Sequence, residues 1–153
     1  GNDLENTMKR FHIPLFLVLA AVAAAGCNTL SKQPELRAAR IDKPELHPGD
    51  TAVITVEATD KNDVIDRIEG VVQEDPTIKF KLNDDGEPPD GKAGDNVWSL
   101  QVDVPIHAPP GEFTLEFTAY RDDGVPVPVR NEAGEVASLK QSLPIVIRYE
   151  QQP

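Results

Sequence analysis

The stretch PGDTAVITVEAT, residues 48–59, carries the pattern that decides the fold of this chain. It begins with a Pro-Gly-Asp turn signal, and an apolar side chain then stands at every second position from Ala52 to Ala58. Successive side chains of a strand point to opposite faces of a sheet. A period of two that is rich in β-branched residues therefore predicts a strand with one buried face.

The same alternation returns several times along the chain, punctuated by turn signals such as Pro109-Pro110-Gly111. Pro144 interrupts the last of these runs. Because proline cannot donate a hydrogen bond to a neighbouring strand, we expect this run at a sheet edge or at a bulge. The alternating runs are residues 51–59, 77–82, 98–104, 112–119 and 143–149.

Two further segments are ambiguous. Residues 36–41 predict a first strand, although residues 36–39 also fit a helix. Residues 64–72 fit either a strand or a helical stripe, and Gly70 together with the β-branched content favours the strand. The count is then about seven short strands, which predicts an all-β protein with the fold of an immunoglobulin-like antiparallel β-sandwich.

A leader precedes the predicted strands. Met8 is followed by the basic pair Lys9-Arg10 and then by an apolar stretch, an order that is typical of a secretory signal peptide. The 14 residues from Ile13 to Gly26 are fewer than the roughly 20 that a membrane-spanning helix needs. We expect translation to start at Met8. The predicted organisation is a leader over residues 1–26, a lipidated cysteine and tether over 27–37, and the sandwich over 38–150.

Cys27 is the only cysteine of the chain, and it directly follows Ala24-Ala25-Gly26. This arrangement resembles the lipobox of bacterial lipoproteins, in which Leu is usual where Ala24 stands. The resemblance implies a diacylglycerol thioether on Cys27 and acyl chains such as palmitate. Asn28, in place of an Asp, favours the outer membrane over the inner membrane if the cell has both. The alternative is ordinary cleavage after Ala25, which would release a soluble protein with a free thiol.

The chain is strongly acidic. It has 26 Asp and Glu residues against 15 Lys and Arg residues, which gives a net charge of −11 at pH 7. The predicted leader holds two charges of each sign, so its removal leaves this value unchanged. Such a surface repels phosphate backbones and argues against a nucleic-acid partner, whereas it favours divalent cations.

The segment between two predicted strands, residues 83–96, concentrates acidic residues. Calcium takes six to eight hard oxygen ligands, and loops rich in Asp, Asn and Gly can supply them. The spacing does not match an EF-hand. The alternative is a long polar hairpin loop in which these residues serve turn geometry and the acids face water. The candidate calcium ligands are Asp84, Asp85, Asp90 and Asp95.

Three motifs together resemble bacterial immunoglobulin-like or fibronectin-type-III-like domains. They are LNDDG at residues 82–86, PDGKAGDNVW at 89–98 and PGEFTL at 110–115. The similarity covers roughly residues 38–150, and Asn96 stands where Gly is usual in such loops. The resemblance implies the fold and a place at the cell surface, but it carries no activity, because this fold hosts many functions.

The sequence predicts no enzyme. Its serines lie outside any nucleophile-elbow context, and it has no phosphate-cradling glycine loop. We therefore expect a non-catalytic cell-envelope lipoprotein, anchored through Cys27, that serves as a binding or structural accessory module. Its expected partners are the membrane, through the lipid, and an envelope protein or a glycan. The irregular segment 122–137 is the candidate contact surface, although it also fits a mobile connection without a partner.

The alternative function is a calcium-stabilised carbohydrate-binding or adhesive surface module. Exposed aromatic side chains near residues 83–96 would favour this alternative. Trp98, however, shares its alternating stripe with Leu100, Val102 and Val104, which predicts a core position for the indole ring.

Overall fold

The computed structural model describes residues 33–149, and within them all regular structure is β. Cys27 and the predicted leader lie outside the described residues. None of the described residues forms a helix that is long and apolar enough to cross a membrane. The strands are β1 (Glu35–Ile41), β2 (Thr51–Thr59), β3 (Arg67–Val72), β4 (Asp75–Leu82), β5 (Val97–Asp103), β6 (Gly111–Tyr120), β7 (Pro128–Arg130), β8 (Val136–Ser138) and β9 (Lys140–Ile147).

Seven of these strands build two antiparallel sheets. One sheet has the order β1-β2-β5, and the other has the order β4-β3-β6-β9. The two sheets bury their inner faces against each other, as in other sandwiches. The immunoglobulin-like antiparallel β-sandwich that the sequence predicts is confirmed.

The apolar residues at the alternating positions of the strands form the core. Ile54 and Val56 from the first sheet and Ile68, Leu82 and Phe117 from the second are each at most 1% exposed. They belong to one buried cluster that both sheets contribute to. A second cluster lies beside it and is formed by Leu46, Ala52, Val104, Ala108 and Ile147.

The ambiguous segments are strands. β1 begins at Glu35, which places the start of the folded part three residues before the predicted boundary at residue 38. The segment that fitted a strand or a helix becomes β3, but only from Arg67 onward. The carboxylate of Asp60 accepts hydrogen bonds from the amides of Val64 and Ile65, and it holds these residues in a turn ahead of the strand.

The segment 122–137 is not the irregular loop that the sequence predicts. It contains β7 and, with β8, forms a short hairpin. The amide of Val127 donates to the carbonyl of Ala119, and the amide of Leu139 donates to the carbonyl of Val127. Val127 is 1% exposed and belongs to the core. The segment is therefore tied to β6 through Val127.

One edge of the sandwich is closed by contact between β1 and β9. The amide group of Gln141 on β9 donates to the carbonyl oxygen of Leu36 on β1, at 3.2 Å. Pro144 lies in β9, the last strand of its sheet, as expected from its missing donor.

Gly70 makes room for an aromatic ring in the second sheet. It lies opposite Phe80 on β4 and opposite Phe117 on β6. A Cβ atom at Gly70 would overlap the ring of Phe80. That ring packs edge-on against Phe117, with the ring centroids 5.8 Å apart. The absence of a side chain at Gly70 thus leaves room for the ring of Phe80. This ring also faces the space between the two sheets.

We expect Gly70→Ala to lower the free energy of unfolding by about 1–3 kcal/mol, since the added methyl group overpacks the Phe80 ring. This loss exceeds the roughly 0.5–1 kcal/mol by which Ala is otherwise favoured over Gly in a strand. Urea unfolding measures the difference. Gly91→Ala is the control, because nothing lies within 4 Å of a Cβ atom there. Equal midpoints for the two variants would contradict the packing described here.

Candidate metal centre in the β4–β5 loop

The acidic loop, residues 83–96, connects an edge strand of one sheet to an edge strand of the other. Asn83 and Ser99 exchange two backbone hydrogen bonds of 2.9 Å at its base. The carbonyl oxygen of Asn96 accepts a hydrogen bond of 2.8 Å from the amide of Ala58 on β2. The ends of the loop are therefore fixed by the sandwich.

The path of the loop depends on three residues with positive φ angles. They are Gly86 (78°), Gly94 (72°) and Asn96 (62°). Glycine adopts this left-handed conformation without steric cost, and asparagine tolerates it better than most residues do. A Cβ atom on Gly86 would also lie 3.1 Å from the amide nitrogen of Ala93. These turns fold the loop back so that distant acidic residues meet.

Asp90 is a buried carboxylate at the centre of the acidic loop. The residue is 5% exposed. Its Oδ2 atom accepts a hydrogen bond of 2.6 Å from the amide of Gly86. Its Oδ1 atom is buried and has no hydrogen-bond partner among the described residues. A buried oxygen without a donor is costly, and such atoms mark places where an ion or a water binds.

Asp84, like Asp90, has one carboxylate oxygen that accepts a hydrogen bond and one that does not. Its Oδ2 atom accepts a hydrogen bond of 3.1 Å from the amide of Asn96, whereas its Oδ1 atom is buried without a partner within residues 33–149. Burial raises the pKa of Asp84 above its usual value of 3.8, and the nearby carboxyl groups of Asp95 and Asp90 also raise this pKa, which outweighs the lowering by the hydrogen bond from the amide of Asn96. Without a cation, the charged form of Asp84 is thus disfavoured in the folded state.

Asp95 completes a group of three carboxylates. It is exposed, and its Oδ1 atom accepts a hydrogen bond of 3.0 Å from the amide of Val97. One oxygen from each of Asp84, Asp90 and Asp95 lies within 4.8 Å of the other two. Two oxygens on one Ca²⁺ ion can be at most about 5 Å apart, because Ca–O distances are about 2.3–2.6 Å. The three carboxylates can therefore share one calcium ion.

Asp85 lies outside this group, so the structure brings together three of the four predicted ligands. The Oδ1 atom of Asp85 accepts a hydrogen bond of 3.0 Å from the amide of Glu87, two residues on. This local turn occupies the carboxylate at an exposed position. Asp85 therefore serves turn geometry, as the polar-loop alternative suggests for all of the acids.

The ligand atoms of the three carboxylates indicate which kind of metal ion fits the site. All three side chains offer carboxylate oxygens, which suit hard cations such as Ca²⁺ and Mg²⁺, while softer metals prefer nitrogen and sulfur ligands. Ca²⁺ tolerates irregular geometry, whereas Mg²⁺ demands near-ideal octahedral coordination. Three carboxylates leave at least three positions for backbone carbonyls and water. The arrangement therefore fits calcium better than magnesium.

Sequence reasoning missed the burial of Asp90, which lies in a loop whose other residues are mostly exposed. Trp98 and Ser99 also carry a buried polar atom without a partner in the described part of the chain, the indole nitrogen and the hydroxyl. All four residues of the described chain that bury a polar atom without a partner, Asp84, Asp90, Trp98 and Ser99, therefore lie within residues 84–99. The ring of Trp98 packs against the main core, as the sequence predicts. This segment thus combines apolar packing with incompletely satisfied polar groups.

Comparisons with known proteins name no family for this fold. No family model and no curated protein matches the chain. The chain is similar to the endo-β-1,4-mannanase from Thermotoga petrophila, at 12% identity and a TM-score of 0.44, over 76% of this chain and 21% of the mannanase. It thus spans about a fifth of that enzyme's length. It is also similar to a Niemann-Pick type C2 protein from Japanese carpenter ant, at 16% identity and a TM-score of 0.42, over 75% of this chain and 92% of that protein.

We expect Asp84→Asn to raise Tm at pH 7 in EDTA. The variant keeps an oxygen for the amide of Asn96 and removes a carboxylate that burial and two neighbouring acids disfavour. Because the folded-state pKa is raised, Asp84 contributes most stability below pH 3.8, and this contribution is lost as pH rises through the raised pKa. The advantage of the variant should therefore shrink toward pH 3.

Thermal melts across this pH range test the prediction. Asp85→Asn is the control, because it makes the same chemical change in the same loop outside the carboxylate group. If Asp84→Asn is less stable than the parent in EDTA at pH 7, the claim that the ionised carboxylate of Asp84 destabilises the metal-free loop is wrong.

Proposed function

We propose that this chain is a non-catalytic module of the cell envelope, held to a membrane by lipid on Cys27. The observation that carries this proposal is the placement of the only cysteine directly after Ala24-Ala25-Gly26, at the end of an apolar leader. Two or three acyl chains anchor a protein stably, whereas one chain binds only marginally. The outer membrane is the expected location where the cell has two membranes.

The start of the fold supports a short tether. β1 begins at Glu35, so residues 28–34 separate Cys27 from the first strand. An extended chain spans at most about 3.6 Å per residue, so this tether reaches on the order of 25 Å. The sandwich would then work close to the membrane surface, where an envelope protein or a glycan can meet its loops and sheet edges.

We expect Cys27→Ser to move the protein from the membrane fraction to the soluble fraction of the cell. The substitution removes the thiol that would carry the lipid. The matched control is the double variant Cys27→Ser, Ser31→Cys, which keeps one cysteine but places it four residues later, and it should also be soluble. Intact mass spectrometry provides the second readout. An unmodified mass for the membrane-purified parent protein would contradict lipidation.

The second candidate function is a calcium-stabilised surface module. The buried Oδ1 atoms of Asp84 and Asp90, which lack donors among residues 33–149, favour it. The structure gives less support to the carbohydrate-binding form of this candidate. Sugar binding needs an exposed flat ring, and Trp98 packs against the core instead. A calcium ion would then stabilise the acidic loop as a rigid contact surface for adhesion.

We expect millimolar Ca²⁺ to raise Tm relative to EDTA. A ligand at 100 times its Kd adds about 2.7 kcal/mol, which corresponds to roughly 10 °C for a domain of this size. Asp90→Asn should abolish the shift, because it weakens a ligand at the centre of the group, whereas Asp85→Asn should retain it. Mg²⁺ should shift Tm less. An unchanged Tm in Ca²⁺, or equal loss in both variants, would rule out the calcium site.

A further inference from the structure

The chain enters the sandwich at the same end as the acidic loop. Glu35, the first residue of β1, pairs with Thr59, the last residue of β2. On the other side of β2, the amide of Ala58 donates a hydrogen bond to the carbonyl oxygen of Asn96, and Ala58 itself pairs with Leu36. The start of β1 and the end of the acidic loop therefore lie in one row across the first sheet, at what we call the tethered end of the sandwich.

This row is short compared with the tether. The first sheet has the order β1-β2-β5. Neighbouring strands lie about 4.8 Å apart, so the two spacings from β1 to β5 amount to about 10 Å. The tether between Cys27 and β1 reaches on the order of 25 Å when it is extended. A lipid on Cys27 would therefore keep the acidic loop within reach of the membrane surface.

The tethered end is the more acidic end of the sandwich. Strands β2, β4 and β6 all run toward it, as their pairing shows. The connections that follow these strands are residues 60–66, 83–96 and 121–127. They hold ten Asp or Glu residues against three Lys or Arg residues.

The opposite end of the sandwich carries much less charge. Its connections are residues 42–50, 73–74 and 104–110. They hold four Asp or Glu residues against one Lys. An anionic membrane surface therefore repels the tethered end more strongly than the opposite end.

Without a cation, the length of the tether allows the acidic loop to stay away from the membrane. Repulsion between exposed charges is screened over about 8 Å at physiological ionic strength. The extended tether, on the order of 25 Å, is longer than this distance. The metal-free sandwich can thus hold its acidic end outside the range of repulsion while the anchor stays inserted.

The carboxylate group of the acidic loop is open on one side. Asp90 is 5% exposed, and its Oδ1 atom has no partner among residues 33–149, whereas Asp95 is exposed. An ion that these residues share with Asp84 would be covered by the protein near Asp90 and would face solvent near Asp95. Calcium takes six to eight oxygen ligands, so three carboxylates leave positions for oxygens from outside the chain.

A lipid phosphate can fill these positions. Its oxygens are hard and negatively charged, as calcium ligands should be. The anchor makes this contact intramolecular, with an effective concentration in the millimolar range for a short flexible linker. Calcium also cancels two negative charges of the tethered end. A bridge from the ion to a phosphate therefore needs only modest affinity, and it is lost when the ion leaves.

We propose that Ca²⁺ in the acidic loop binds the phosphate of an anionic membrane lipid and so docks the tethered end of the sandwich on the membrane. The docking rests on the proposed function, since it needs both the lipid on Cys27 and a calcium ion on the three carboxylates. The partner of the calcium site is then the membrane that holds the chain. Calcium switches the sandwich between a position away from this membrane and a docked position.

Trp98 reports the distance between the tethered end and the membrane. It is the only tryptophan of the chain, and it follows the acidic loop as the second residue of β5. Energy transfer from an indole ring to a dansyl group falls steeply with distance. The experiment reconstitutes the lipid-modified protein into vesicles of equal parts phosphatidylcholine and phosphatidylglycerol with a trace of dansyl-labelled phosphatidylethanolamine. Transfer is measured in EDTA and in millimolar Ca²⁺.

We expect transfer to rise about twofold or more in Ca²⁺, because docking removes a separation of up to about 25 Å. Asp90→Asn should abolish the rise, since it weakens the central ligand of the ion. Asp85→Asn is the matched control and should retain the rise, because it removes the same charge from the same loop outside the carboxylate group. Vesicles of phosphatidylcholine alone should give little rise.

Flotation of the vesicles in EDTA separates the anchor from the docking. Protein that does not float with the vesicles would refute the lipid anchor, and the docking with it. If the protein floats and its Tm rises in Ca²⁺ without a rise in transfer, the docking alone is wrong. Unchanged Tm and unchanged transfer would refute the calcium site as well. An equal rise in Asp90→Asn would refute the acidic loop as the docking site, and an equal rise on phosphatidylcholine vesicles would refute the anionic lipid.

Discussion

The backbone hydrogen bonds between Asn83 and Ser99 hold together the one sandwich edge on which the other features depend. They join β4 and β5, which belong to different sheets. On one side of this junction the chain leaves the sheets as the acidic loop. On the other side, away from this junction, Ile78 on β4 is 50% exposed. The candidate metal site thus lies in the loop that this junction closes.

The acidic loop contains an electrostatic conflict. Its turns bring Asp84 and Asp90 together with Asp95, and each of the first two buries an oxygen that lacks a donor in the described residues. Burial and like charge both disfavour ionised carboxylates, as the raised pKa of Asp84 reflects. A cation reverses both effects, because it supplies opposite charge and coordinates the unpaired oxygens. In the proposed site, calcium binding would therefore stabilise the folded loop.

The strands of the sandwich could be predicted from the sequence because alternation at β2 and β6 reports burial directly. The hairpin of β7 and β8 could not, since each strand has only three residues and Pro126 and Pro128 read as loop signals. Spacing also could not separate Asp85 from the three grouped carboxylates, because the positive φ angles of the acidic loop decide which acids meet. Alternation shows which residues face inward, but whether the facing sheets close over Ile78 depends on tertiary packing.

The most direct test of the central claim is amide hydrogen exchange across residues 83–96, in EDTA and in Ca²⁺. The amides of Gly86 and Asn96 report on the loop, because they donate to the carboxylates of Asp90 and Asp84. If a cation resolves the conflict between these carboxylates, both amides become more protected in Ca²⁺, while the amide of Val127, which donates to the carbonyl of Ala119 outside the loop, changes less. Equal protection of the loop amides in EDTA and Ca²⁺ would contradict a cation that these carboxylates share.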